Sequence, residues 1–214
     1  MKEKTMTKRF YLLITLFFSV VSWGKTEHTP GLWLGYFKQE NLSDSGRFHI
    51  ETQLRYDLDE GRMNQSLVRF GYLHNLDQRH QLGLLFAYVD SDSFKEYRPT
   101  IQHQYFHQYL TMRQRLEYRK VEDITQDSWR YRLLLRSKGL SLSKELDMIV
   151  WNEVFINLGH EQWTGNRTFE RNRFFFGPRH RFKNFDLEWG YLNQIIPRKG
   201  KESIEHLLVG YFYF

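Results

Sequence analysis

The chain has 214 residues, a formal net charge of +6 and no cysteine. That length holds one domain, and the lack of thiols excludes disulfides, thiolate metal centres and thiol redox chemistry. Hydrophobic residues are 41 % of the total and past residue 24 no apolar run is long enough for a membrane helix, whereas aromatics reach 17 %, an excess of the kind barrel girdles use.

The N-terminus reads as an export signal. Lys2, Lys4, Lys8 and Arg9 give a basic start, and Phe10 to Val21 an apolar stretch too short to span a bilayer. Ser22 and Gly24 place small residues where a signal peptidase reads. Cleavage is therefore expected before Lys25, leaving residues 25–214 as a single domain, and no lipobox cysteine follows.

Beyond the leader the chain falls into short runs with a period of two. Leu32 to Gln39 forms a first strand of ambiguous facing, with Trp33 and Tyr36 as possible interface anchors. Phe48, Ile50, Leu54 and Tyr56 alternate with His49, Glu51, Gln53 and Arg55, up to a turn cluster at Asp57 to Gly61. Val68, Phe70 and Tyr72 oppose Arg69 and Gly71; Leu82, Leu84, Phe86 and Tyr88 oppose Gly83 and Ala87. Ile101 and Tyr105 oppose Arg98, Gln102 and Gln104.

The clearest ladders come next. Leu110, Met112, Leu116 and Tyr118 fill one face and Arg113, Arg115, Glu117 and Arg119 the other. Trp129, Tyr131, Leu133 and Leu135 then alternate with Arg130, Arg132 and Arg136. A helix would scatter both sets around its cylinder, whereas successive strand residues point to opposite faces. Met148, Val150, Val154 and Ile156 alternate with Asp147, Trp151, Glu153 and Asn157, and Leu158 to Thr168 forms the longest loop. Phe174, Phe176 and Phe182 oppose Arg173, Gly177, Arg179 and Arg181; Leu187, Trp189 and Tyr191 oppose Asp186, Glu188, Gly190 and Gln194. The last strand, Ile204 to Phe214, carries Leu208, Phe212 and the terminal Phe214 on one face.

Such two-faced strands suit a membrane barrel that shows its apolar face to lipid and turns its arginines inward. A soluble periplasmic barrel or sandwich that binds a ligand is the rival architecture, but its watered faces would then be arginine ladders. The runs number eleven. Bacterial barrels have an even count when both termini face the periplasm, so the expected fold is an all-β, antiparallel transmembrane β-barrel of even strand number, ten to twelve strands, in the outer membrane of a Gram-negative bacterium.

In order along the chain, Trp33, then Glu51, Gln53 and Arg55, then Arg113, Arg115, Glu117 and Arg119 make up the first motifs of a resemblance. It continues through Arg130 and Arg132, through Asn172, Arg173 and Gly177, through Gly190 and Tyr191, to the aromatic end. Together these resemble the bacterial family catalogued as domain of unknown function 2490, whose members look like outer-membrane barrels. The resemblance covers nearly all of the chain after the leader and implies the barrel fold; the family carries no assigned activity. The apolar positions leading to a terminal Phe, at Leu208, Phe212 and Phe214, also resemble the signal that barrel-assembly machinery recognises in outer-membrane proteins.

For chemistry, the expected interior holds Arg55, Arg69, Arg98, Arg113, Arg115, Arg119, Arg130, Arg132, Arg136, Arg173, Arg179 and Arg181 against Glu51, Glu117, Glu153, Asp186 and Glu188. Two readings follow: a pore favouring anions or acidic solutes, or an arginine–glutamate network that fills and stiffens the barrel. A lipid-modifying enzyme active at the rim is the alternative. His103 and His107 share a strand face, and Ser128, Ser137 and Ser141 lie near turns, but nothing fixes a nucleophile, base and acid together. His103 with His107, and His160 with Glu161, lack the third partner of a metal site. No cofactor is expected, and the partners implied are outer-membrane lipid and the assembly machinery. Nucleic acid is not among them, since the basic residues recur along nearly every strand instead of forming one patch.

Overall fold

The computed structural model describes residues 25–159, 162–164, 166–198 and 201–214; the expected export signal and the His160–Glu161 pair lie outside them. Alternation translates directly into strands: β1 (Lys25–Asn41), β2 (Gly46–Asp57), β3 (Arg62–Asn75), β4 (His80–Ser91), β5 (Phe94–Phe106), β6 (Leu110–Val121) and β7 (Ser128–Ser137) form one meander. A two-residue strand, β8 (Leu140–Ser141), precedes β9 (Leu146–Asn157), β10 (Phe169–Arg181), β11 (Asp186–Arg198) and β12 (Lys201–Tyr213). A single turn of 3-10 helix at Gln162–Thr164 sits in the long loop before β10.

Each strand pairs with the next, β7 pairing with β9 and β8 edging β9, and the sheet closes where β1 meets β12. Closure removes the exposed edges that an open sheet would leave. All eleven runs read from the alternation are barrel strands. The even count is the part that fails: with eleven strands, the first and last run in the same direction, and β1 pairs β12 in parallel from Lys25↔Lys201 to Phe37↔Tyr213. An odd barrel closes through one parallel seam and places Lys25 and Phe214 at opposite ends.

Local chemistry sets the turns. Asp57 Oδ1 accepts hydrogen bonds from the backbone N–H groups of Asp59 (2.9 Å) and Glu60 (3.0 Å), and Gly61 supplies the positive φ (64°) that returns the chain into β3. Asp77 plays the same part between β3 and β4, accepting from Arg79 and His80 at 2.6 and 2.8 Å. These backbone donors hold its carboxyl below its usual range. Between β10 and β11 the ladder opens at Gly177 and Gly190. A Cβ on Gly190 would lie 2.4 Å from the Phe176 carbonyl oxygen, so only glycine permits this approach of two backbones.

The outer face is apolar and exposed: Leu84 (66 %), Ile101 (56 %), Trp189 (55 %), Leu208 (61 %) and Phe214 (49 %) all lie on it. Histidine and aromatic rings border it at the C-terminal end, where His80 stacks on His103, His180 on Phe182, and Phe185 on Phe214. Tyr118 packs on Trp129 toward the other end. Trp33 is a correction to its reading as an interface anchor. It turns inward, 3 % exposed, and joins Trp151, Phe175, Leu192, Val209 and Tyr211 in a buried cluster against the interior wall formed by β9 to β12 and β1. Tyr36, its opposite in parity, stays outside with its ring 4.9 Å from that of Phe214.

Candidate functional site

Inside the barrel, facing that apolar wall, lies a network of arginines and carboxylates built by β2, β3, β5, β6, β7, β9, β10 and β11. Period-two alternation sends residues of one parity inward along each strand, and the registry then brings charges from neighbouring strands level. Glu117 pairs across with Arg130, and Arg115 with Arg132.

Glu117 sits at the centre with no exposed surface. It accepts from Arg130 Nε (2.8 Å) and from Arg132 Nη1 (2.7 Å), and Arg69 Nη2 lies 3.7 Å away. Arg69 in turn donates to both oxygens of Glu51 at 2.6–2.7 Å, and Arg115 lies 3.9 Å from the same carboxylate. Glu153 holds Arg132 at 2.8 Å and Arg113 at 3.1 Å, with Arg173 at 3.7 Å. Toward the C-terminal end Arg136 pairs with Glu188, and Asp147 takes Arg179 and Arg181. Arg55 is placed on the same inner face, its guanidinium 3.9 Å from the Trp33 ring centroid.

Four members escape a reading of the sequence, Glu96, Glu170, Arg171 and Phe155. Glu96 receives a fork from Arg98 at 2.6 and 2.7 Å and another from Arg119 at 2.6 and 3.2 Å; its position two residues before Arg98 is the signal that could have found it. Glu170 accepts from Arg130 at 3.0 Å, and a register shift between Phe169 and Arg171 puts it inside, which no uniform alternation foresees. Phe155, 1 % exposed, carries the guanidiniums of Arg132 and Arg173 4.5 Å from its ring, with those of Arg130 and Arg171 within 5.7 Å. An aromatic face attracts these cations alongside the carboxylates that pair with them. Asp186, counted among the interior anions, is half-buried and makes none of the ion pairs found among the described residues.

Twelve arginines thus pair with seven carboxylates, Glu51, Glu96, Glu117, Asp147, Glu153, Glu170 and Glu188, and Arg55 on Trp33 makes a thirteenth inner arginine. Between them remains a cavity of about 310 Å³ lined by eleven arginines and only two carboxylates, Glu51 and Glu153. At the N-terminal end the loop after β9 reaches over this chamber. Trp163 Nε1 donates to the Gln126 carbonyl at 2.9 Å, and its ring lies 4.7 Å from the Arg119 guanidinium.

The candidates for rim chemistry do not converge. His103 lies in the outer ring belt with His80, and His107 lies between Tyr105 and Tyr109 with its ring tilted to both. Ser128 is fully buried, Ser137 Oγ accepts from the Val150 backbone N–H, and Ser141 Oγ donates to the Ser143 carbonyl. The outward Leu208 and Phe214 are exposed.

A closed sheet with an apolar outside and a charged inside defines a porin-like β-barrel. A solved NanC porin has this fold: the two superpose with a TM-score of 0.51 at 10 % identity, over 79 % of this chain and 89 % of that one. A second solved structure, from work on in-meso crystallisation of membrane proteins, gives a TM-score of 0.44 at 11 % identity over 82 % and 79 % of the two chains. The family follows from sequence. Residues 30–205 match the profile described as protein of unknown function (DUF2490), and the chain belongs to that family. No protein of curated function matches it.

Proposed function

We propose that this protein is an outer-membrane barrel of a Gram-negative envelope, exported by a signal peptide at residues 1–24, whose arginine-lined interior lets small anions pass. The observation that carries this reading is the charge imbalance of the interior, eleven arginines and two carboxylates around one cavity. Buried charge left without a partner costs several kcal/mol per ion, so such a chamber favours anions over cations at every point along it. The side chains that cross it make it a narrow conduit for small solutes instead of an open diffusion pore.

The exposed apolar outer face supports a membrane setting over a soluble periplasmic barrel, since soluble monomers rarely expose a contiguous apolar belt. Leu208, Phe212 and Phe214 serve in this reading as the signal for barrel assembly, and lipid is the solvent of the outer wall. The test is a planar-bilayer recording of the refolded protein under a salt gradient. Anion-selective steps, weakened or reversed by Arg115→Glu, are expected. A correctly folded barrel that stays silent refutes passage and leaves a structural plug.

A further inference from the structure

Twelve of the thirteen interior arginines reach a carboxylate within 4 Å, and the exception is Arg55. Among the described residues none offers it an ion pair, and its Nε has no hydrogen-bond partner. The ionisable groups that act on it most strongly are Glu205, Arg171, Tyr211 and Arg98. Glu205 is already engaged, accepting from Gln194 Nε2, while Gln194 Oε1 accepts from Arg173 Nε. Arg55 therefore sits in a locally cationic part of the same chamber that Arg171 and Arg173 line.

Its orientation is nevertheless fixed. Trp33 is its directly paired neighbour on β1, and the Arg55 guanidinium lies 3.9 Å from the indole centroid, while Arg173 reaches the same ring from β10 at 4.7 Å. Stacking on an indole sets the plane of a guanidinium and leaves its N–H fork free in that plane. Other groups lining the chamber are also short of acceptors: Trp33 Nε1, Arg69 Nε and Nη2, and Arg113 Nε are buried donors without one. Missing acceptors beside uncompensated cations suit an anion that brings several oxygens. A carboxylate or phosphate group matches the guanidinium fork with two parallel hydrogen bonds, which a halide lacks.

We infer that Arg55 and Arg173, held on Trp33, form a binding site for a small oxyanion, a solute carrying one carboxylate or phosphate group. The cavity, about 310 Å³, lies at the small end of ligand pockets, which excludes polymers. This rests on the reading of the interior as an anion path, but occupancy of the site does not require that the anion leave at the far end.

Calorimetric titration of the detergent-refolded protein with inorganic phosphate and with acetate, against chloride at matched ionic strength, tests it. Saturable binding of phosphate or acetate, and none of chloride, is expected. Arg55→Gln should weaken it by about tenfold or more, the worth of hydrogen bonds to a charged group. Arg55→Lys, which keeps the charge and loses the fork, should fall between them, and Arg62→Gln at the exposed start of β3 should bind as the wild type does. Loss of an arginine without a carboxylate partner leaves no anion stranded, and heat-dependent gel mobility verifies that each variant is folded. Absent binding in the folded wild type, or affinity unchanged in both Arg55 variants, overturns the site. Binding that Arg55→Gln abolishes, in a barrel silent in the bilayer, upholds the site and refutes passage alone.

Discussion

Replacing Glu117 by Gln asks how dry the barrel interior is. The substitution keeps the shape, leaves one acceptor oxygen, and turns an amide donor toward guanidiniums that can only donate. Arg130 and Arg132, at 2.8 and 2.7 Å, lose their shared charge, and Arg69 at 3.7 Å loses a second neighbour. At about 4 Å between charge centres each pair is worth about 4 kcal/mol at an effective dielectric near 20 but only about 1 kcal/mol in bulk water. Part of the larger figure is offset by desolvation, and breaking a buried ion pair from one side costs about 3–5 kcal/mol. The expected result is a loss of that size in the urea unfolding free energy of the refolded barrel, read as a lower midpoint at constant slope. Glu60→Gln, in the exposed turn between β2 and β3, should leave the midpoint where it is. A loss below about 1 kcal/mol for Glu117→Gln would show the arginines behaving as solvated surface ions, and would refute the burial of the interior charges.

Other outcomes follow from the fold. Gly190→Ala should destabilise the barrel by about 1–3 kcal/mol, because its Cβ would meet the Phe176 carbonyl oxygen at 2.4 Å; unchanged unfolding would mean the two strands separate freely there. The turns at residues 58–61 and 76–79 flank β3 and so lie at opposite ends of the barrel, and in a chain without cysteine an impermeant maleimide should label intact cells carrying only one of Asp59→Cys and Asp77→Cys. Labelling of both would contradict the topology. The Asp77 carboxyl, lowered by the Arg79 and His80 amides, should titrate by NMR with a midpoint below the ordinary aspartate value. Since a depressed folded value stabilises above the unfolded one, the turn's contribution is present at neutral pH and is lost only as pH falls through the lowered value. A midpoint at or above the ordinary value would mean that those hydrogen bonds do not hold the turn.

Where the chain alternates strictly, the facing of its residues is legible in the amino-acid sequence alone. From Met112 with Arg113 to Tyr191 with Gln194, the outward and inward sets lie where their parity puts them, because a strand has a period of two and one misplaced residue would reverse the whole face. Trp33 escapes this reading because LWLGYFKQ is apolar on both faces: Leu34 and Tyr36 are exposed on the outside, while Trp33 joins the interior cluster. Glu170 escapes it because a register shift resets parity after Phe169.

What the amino-acid sequence determines by itself is the two-faced strand, its turns and the class of charge on each face, since all of these are local consequences of dihedral geometry and side-chain chemistry. Tertiary structure alone decides how the sheet closes. The parallel β1–β12 seam joins residues about 175 positions apart, and nothing within either strand encodes its neighbour's direction. It also decides which interior arginine is left, among the described residues, without a carboxylate partner. Arg55 looks like its twelve companions in sequence, and only the curvature that carries Glu51, Glu117 and Glu153 to other guanidiniums leaves it facing the chamber on Trp33.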